Sequence, residues 1–425
     1  MDLTPGSIVT PPKERRATGY GALIEHDRVH ASLYCDPVVF DDEMQRIFYG
    51  GWVFVGHESE IPNPGDYVCR FIGLEEVVMV RNQAGVVRVL SNRCTHRGNR
   101  ICPTEKGNAR VLTCQYHAWS FSLDGELLAV PRPNGFCKPK EEFHLQGPAL
   151  VDSYRGFVFA SFDAGAGSLP AHLGHAAAMI DRAADQSPTG RISLCAGWAR
   201  HAIRGNWKSL LENATDGYHT PVVHASFLQT FRTQYDVTAA PERERVAESR
   251  DLGNGHGEVN FVPRYKKILE WLGSSAEKLP GYVEAMELAY GKERAHRLML
   301  EGAPHVTIFP NLFIGEANIV IFQPISADES VQWHTAMLFE GADASMNARA
   351  LRQSEGALGP SSFLLADDAV IFERLQSAGR GRAGWLDLSR GLNREEEAQG
   401  IRTGYATDET STRAFWRQYQ KVMKA

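Results

Sequence analysis

The chain has 425 residues, 43% of them hydrophobic, 23% charged and 10% aromatic, enough for a large buried core over two domains and unlike collagen, disordered chains or disulfide mini-proteins. Its 45 Lys plus Arg against 51 Asp plus Glu give a formal charge of −6, so no general basic field exists to draw in a phosphate backbone, and nucleic acid is not an expected partner. The seven cysteines, an odd number scattered along the chain, point to a reducing compartment in which some serve metal rather than disulfides.

In chain order, residues 1–40 form a mixed N-terminal segment whose start, MDLTPGSIVTPPKERR, has prolines where a secretory signal needs an apolar centre. No stretch approaches the roughly 18 uncharged apolar residues of a membrane span, so a cytoplasmic chain without membrane contact is expected. Residues 41–51 (DDEMQRIFYGG) read as a short helix running into Trp52 and a strand. From there to about 165 apolar residues alternate with period two between tight turns: VVMVRNQAGVVRVL is a hairpin around 82–85, SFSLDGELLAV a hairpin on Asp124-Gly125, and RGFVFASFD a last buried strand. DAGAGSLPAHLG, small and polar, reads as a linker. Beyond it, helix-like segments (HAAAMIDRAADQ, NWKSLLENATDGYH, YVEAMELAYGKERAHRLML) mix with strand-like runs (HVTIFPNLFIGEANIVIFQPI, WHTAMLFEGA) without regular βαβ alternation. The expected fold is α+β: an all-β domain over 41–165 and a larger α+β domain over 166–425, with a central antiparallel sheet covered by helices. The acidic run at 394–397 and the arginines at 379–382 read as solvated loops. Neither G-x-G-x-x-G after a strand nor a Walker A sequence occurs, so nicotinamide or flavin is not expected on this chain.

Two groups of residues carry chemistry. Cys94-Thr-His96 is followed by Cys114-Gln-Tyr-His117, two thiolates and two imidazoles on loops at hairpin ends, a set whose chance occurrence is on the order of one in ten thousand. Four-coordinate zinc and a [2Fe–2S] cluster, with cysteines on one iron and histidines on the other, compete for such ligands. The flanks, His96-Arg97-Gly98 and His117-Ala118-Trp119, resemble the C-x-H-R-G and C-x-x-H-x-W loops of Rieske proteins and favour iron. Cys102, apolar-flanked, reads as buried filler.

The second group lies in NWKSLLENATDGYHTPVVH at 206–224. Asp216 and His219 are three apart, so on a helix the carboxylate can orient the imidazole. A straight helix would carry His224 to another face, and Pro221 is expected to break it and bring His224 back. A facial triad for non-haem ferrous iron then needs one carboxylate, and Asp367-Asp368 in SSFLLADDAVIFERLQ supplies two candidates. The patterns N-W-K, E-N-x-x-D-x-Y-H-x-x-x-x-H and D-D-x-x-x-x-E resemble the large subunits of Rieske ring-hydroxylating oxygenases over nearly the whole chain. That resemblance implies His219, His224 and Asp368 as iron ligands, with Asp367 the alternative to Asp368, and Asp216 as the bridge from His219 to His117 of a neighbouring subunit. It places Asn213 near the iron and His305 on a strand resembling a pocket-lining one. Both also read as satisfied polar residues. His57, His144, His201 and His334 read as structural, and Phe309, Leu358, Phe363 and Leu364 as core.

The resemblance further implies a mononuclear Fe(II), O2 as co-substrate, and an aromatic substrate hydroxylated or cis-dihydroxylated. Electrons would come from a ferredoxin or reductase that alone uses NAD(P)H, and the assembly would be a homotrimer or α3β3. A monooxygenase or O- or N-demethylase uses the same two sites. A non-enzymatic electron carrier or zinc-stabilised binding module would lack the second metal.

Overall fold

The computed structural model describes residues 20–229, 247–360, 362–382 and 384–424; the side chain of Phe363 lies outside the described residues. Alternation between Val53 and Ser161 produces three small antiparallel sheets. One runs in the order Val87–Ser91, Glu75–Arg81, Asp66–Ile72, Lys106–Asn108; one joins Leu112–Thr113, Ser120–Phe121 and Leu127–Ala129; one joins Leu150–Tyr154, Phe157–Ser161 and Val53–His57. Both expected hairpins form. Asn82 Oδ1 accepts from the N–H groups of Ala84 and Val86, and Gly85, at φ +82°, takes the left-handed conformation that completes the turn.

Two local expectations shift. Asp36 caps a helix that begins earlier than 41, at Pro37–Glu43, and continues as a π-helical turn over Met44–Phe48. The segment at 163–174 is not a polar linker. Ser168 caps one turn, Leu169–Leu173, and the two leucines four apart share a face buried to 1% and 0% exposure.

The remainder builds a nine-stranded antiparallel sheet in the order Ala199–Ile203, Glu329–Ala336, Asn318–Ser326, Leu312–Gly315, His305–Ile308, Gly257–Asn260, Glu248–Asp251, Ile401–Tyr405, Glu396–Ala398. The helices Trp207–Ala214, Ala344–Leu358 and Thr410–Met423 pack on it, the α+β architecture expected. The long apolar run from 305 becomes three strands, and the helix expected after 282 is cut in two by Gly291 at φ +76°. The acidic run at 394–397 is not merely solvated: Arg413 donates to Glu395 at 2.5 Å, Arg394 pairs with Asp408, and Glu396–Ala398 is the edge strand. Likewise Gly379 ends a helix, and Arg380 next to it pairs with Asp328.

The apolar cores do not follow the chain division near 165. Val53, Val55 and Val158 pack with Trp207, Leu210, Phe415 and Tyr419, while Trp52, Phe54, Phe157 and Phe159 pack with Leu169, Ile180, Ile308 and Trp333. Among the described residues, the core around Tyr67, Leu90, Trp119 and Phe121 stays within the cysteine-bearing part. Inside the first of these cores, Lys208 and Glu43 form a fully buried ion pair at 2.5 Å, and Glu43 also accepts from Trp207 Nε1 and Tyr419 Oη. Burying both charges is tolerable because each is paired and hydrogen-bonded. The ion pair fixes the start of the helix that leads to Asp216.

Candidate metal centres

Two loops with one hydrogen-bond pattern hold the first group. Cys94 N–H donates to Asn99 O and Gly98 N–H to Cys94 O; Cys114 N–H donates to Trp119 O and Ala118 N–H to Cys114 O. Gly98 at φ +73° and Ala118 at φ +56° occupy matching left-handed positions, so the glycine noted in the sequence answers a conformational need that Ala118 meets under strain. Cys94 and Cys114 are 2% and 1% exposed, and the His96 and His117 rings converge with their Nδ1 atoms 3.1 Å apart. Trp119 stacks on His96 at 4.6 Å with planes 6° apart, and the Arg97 guanidinium covers Tyr116, which lies against His117. Burial pushes the Cys94 thiol up. At Cys114 burial is outweighed by the N–H groups of Tyr116 and His117 and by the Cys94 thiol, which hold it below an ordinary thiol. Cys102 is buried beside Cys69, in the same apolar core as Cys94 and Cys114.

The second group departs from its expected backbone. The helix Trp207–Ala214 ends before Asp216, so Asp216 and His219 do not share a helix face. They meet across a turn: Asp216 Oδ1 accepts from Tyr218 N–H at 2.6 Å, and Oδ2 lies 3.1 Å from His219 Nδ1. Gly217 lets the turn press against the sheet, since a Cβ there would sit 2.3 Å from Ala406 O. Pro221 starts rather than breaks a helix, falling in the first turn of Thr220–Val223 where its missing N–H has no partner to lose. His224 follows directly, its ring 5.2 Å from that of His219.

Asp368, on the helix Phe363–Gly379, turns one oxygen to both imidazoles: Oδ1 is 3.7 Å from His219 Nε2 and 3.3 Å from His224 Nε2. Asp367 Oδ2 lies 3.5 Å from His224 Nδ1. One donor atom from each of His219, His224 and Asp368 falls within 4.8 Å of the others. Asp368 Oδ1, Asp367 Oδ2 and His224 Nδ1 are buried without a hydrogen-bond partner, an unfavourable arrangement in a low dielectric that a cation would relieve. Two imidazoles and a carboxylate with further positions open is the donor set of non-haem ferrous sites, so the residues fit that group. Burial alone would depress His224, but the facing Asp368 and then Asp367 carboxylates raise its pKa above the ordinary value.

The sequence profile of the Rieske [2Fe-2S] domain matches residues 51–154, and that of the ring hydroxylating alpha subunit (catalytic domain) matches residues 188–425. The chain belongs to the ring-hydroxylating alpha-subunit family. It is an oxidoreductase, the catalytic alpha subunit of a Rieske ring-hydroxylating dioxygenase. It is 34% identical to the 2-halobenzoate 1,2-dioxygenase large subunit of Burkholderia cepacia and 31% identical to the anthranilate 1,2-dioxygenase large subunit of Acinetobacter baylyi, each alignment covering 86% of this chain and 80% of the relative. The structure of naphthalene 1,2-dioxygenase with indole bound superposes with a TM-score of 0.84 at 27% identity, over 96% of this chain and 95% of that one. A quaternary ammonium Rieske monooxygenase, at 19% identity and a TM-score of 0.67, shares the fold.

In this alpha subunit Asn213 lies beside Asp216 on a cleft, and His305 meets the carbonyl at the end of the helix that leads to Asp216. Asn213 lines a cleft of about 390 Å³ together with Tyr34, Glu212, Asp216 and Glu409. His305 contacts Ala214 O at 2.8 Å and Glu316 at 3.2 Å. Phe309 is core, as expected, whereas Leu358 and Leu364 are half-buried. His57 accepts from Ser59 N–H, His144 from Leu127 N–H, and His334 bonds Asn318 and Ser354, structural roles all. Among the described residues no helix is long and apolar enough to cross a membrane.

Sequence reasoning gave Glu212 no role. Its two oxygens each lie 2.9 Å from Tyr34 Oη, Trp416 Nε1 donates to Oε1 at 2.5 Å, and burial lifts its carboxyl to about 7. Burial, then the Asp216 charge, raises Glu409 as well. The E-N-x-x-D pattern contains Glu212, but its partner Tyr34 is 178 residues upstream, and no local pattern announces such a contact.

Proposed function

We propose that this alpha subunit adds both atoms of O2 to an aromatic ring, with a [2Fe–2S] cluster held by Cys94, His96, Cys114 and His117 and a ferrous ion held by His219, His224 and Asp368. The observation that carries the reading is the buried convergence of His219, His224 and Asp368, with polar atoms there left unpartnered. When bound, the two groups supply one-electron storage and dioxygen activation. Relatives named for anthranilate, 2-halobenzoate and toluate make aromatic carboxylates the first substrates to test.

The chain's own residues do the positioning. Asp216 accepts from His219 Nδ1–H, which fixes the tautomer and leaves Nε2 free toward Asp368. Asp367 places its carboxylate charge 3.5 Å from His224 Nδ1 on the other ring. Asp216 also faces a cleft, where in a head-to-tail trimer it would meet the incoming His117 of a second copy. Asn213 shares that cleft. The reading includes a homotrimer or an α3β3 assembly, a ferredoxin or reductase drawing on NAD(P)H, a cytoplasmic setting, and a division into 41–165 and 166–425.

Purified enzyme should hold about three irons and two acid-labile sulfides per chain. With isotopically labelled O2, a reductase and a benzoate-class panel, the expected product is a diol carrying two labelled oxygens. One labelled oxygen or a lost methyl group would establish monooxygenase chemistry instead, and zinc without sulfide would overturn both metal assignments.

A further inference from the structure

Ala214 O stands at the end of the helix that leads into Asp216. His305, at the head of strand His305–Ile308, approaches it with Nε2 at 2.8 Å, while Nδ1 lies 3.2 and 3.4 Å from the two oxygens of Glu316. A backbone carbonyl and an ionised carboxylate only accept hydrogen bonds, so both contacts exist together only when both ring nitrogens carry protons. A neutral imidazole keeps one and loses the other. Phe261 and Phe313 stand edge-on to the ring with centroids 5.3 and 4.8 Å away, and Ser411 Oγ donates to the next carbonyl, Thr215 O, at 2.8 Å. Two successive carbonyls immediately before Asp216 are thus tied to two other elements.

We propose that His305 is a positioning residue: as an imidazolium clamped between Glu316 and the Ala214 carbonyl, it fixes the turn carrying Asp216 and His219, and loosens that turn when it loses a proton. The inference rests on the roles given above to Asp216 and His219. The groups facing His305 are Glu316 from the turn after Leu312–Gly315, Glu258 from the neighbouring strand, itself paired with Arg182 and Arg250, and Tyr265 near Glu316. Burial opposes the imidazolium, but Glu316, then the Ala214 carbonyl and Glu258, outweigh it and raise the His305 pKa. A raised histidine pKa means the clamp is complete below the ordinary histidine value and is lost as pH rises through the raised one.

Hydrogen–deuterium exchange of the holoenzyme, followed by mass spectrometry across pH 6–10 and corrected for intrinsic rates, reads the turn directly. Amides at 215–220 should be protected at the acid end of this range and exchange about tenfold faster above a midpoint that lies higher than the ordinary histidine value. Glu316→Gln should move that midpoint down by about one pH unit. His305→Gln should abolish the transition and leave exchange fast throughout, with the 94–118 loops unchanged. Wild-type protection in His305→Gln, or an unmoved midpoint in Glu316→Gln, would sink the proposal; should His305→Gln fail to fold, the Glu316→Gln midpoint decides alone. A shifted midpoint in protein shown to bind zinc instead of iron would overturn the metal assignment and leave the clamp standing.

Discussion

Asp216 holds His219 through Oδ2 at 3.1 Å while its other oxygen accepts from Tyr218 N–H at 2.6 Å, so the carboxylate that orients the imidazole is itself locked by the turn it sits on. Asp216→Ala removes both bonds and frees the ring. Iron affinity should fall about 10- to 100-fold, and cluster reoxidation in stopped-flow single turnover should slow at least as much, with the visible absorbance of the cluster retained. Unchanged reoxidation would show that Asp216 lies off the electron path.

The adjacent aspartates should separate cleanly. Asp368→Ala removes the only carboxylate oxygen among the described residues that faces both Nε2 atoms and should abolish iron binding at the mononuclear site. Asp367→Ala removes the carboxylate charge that lies 3.5 Å from His224 Nδ1 and should weaken iron about tenfold without abolishing it. Metal analysis against cluster absorbance measures both, and the reverse order would exchange the two roles.

Gly217→Ala tests the packing under the site. The added methyl would meet Ala406 O at 2.3 Å, so the turn or the strand behind it must move. The expected destabilisation is about 1–3 kcal/mol, seen as a lower thermal midpoint, accompanied by loss of mononuclear iron with the cluster intact.

Glu212 predicts a pH effect with a defined sign. Its carboxyl titrates at about 7 in the folded chain against an ordinary 4.5, so between those values the folded protein holds a proton the unfolded chain has released. Stability therefore falls as pH rises through that window. Glu212→Gln, which cannot ionise, should melt like wild type near pH 5 and at higher temperature than wild type near pH 8.

What the sequence made legible was local. The Cys–His loops, the turns at Asn82 and Asp124-Gly125, and the histidine pair declare themselves because spacing and turn chemistry act over a few residues. Asp216 and His219 were expected on one helix face, and the hydrogen bond survives on a turn because Asn206 begins the helix and Thr215 ends it. The contacts that lock the site are long-range. Tyr34 with Glu212, Trp416 with Glu212 and Asp368 with His219 join segments whose proximity only the packed sheet and helices create. The supposed linker failed for the same reason, its leucines finding burial that composition does not reveal.

The two cores that cross residue 165 also constrain how this architecture can be recombined. Strands Val53–His57 and Phe157–Ser161 turn side chains into both, so the part that carries the Cys–His loops shares its packing with the larger part. A chimera exchanging the loop-bearing part for a relative's would inherit mismatched faces against Trp207, Phe415 and Ile308 unless those positions travelled with it. Lineages of such enzymes would then change donor and substrate preference through surface loops and cavity walls more readily than by trading whole modules.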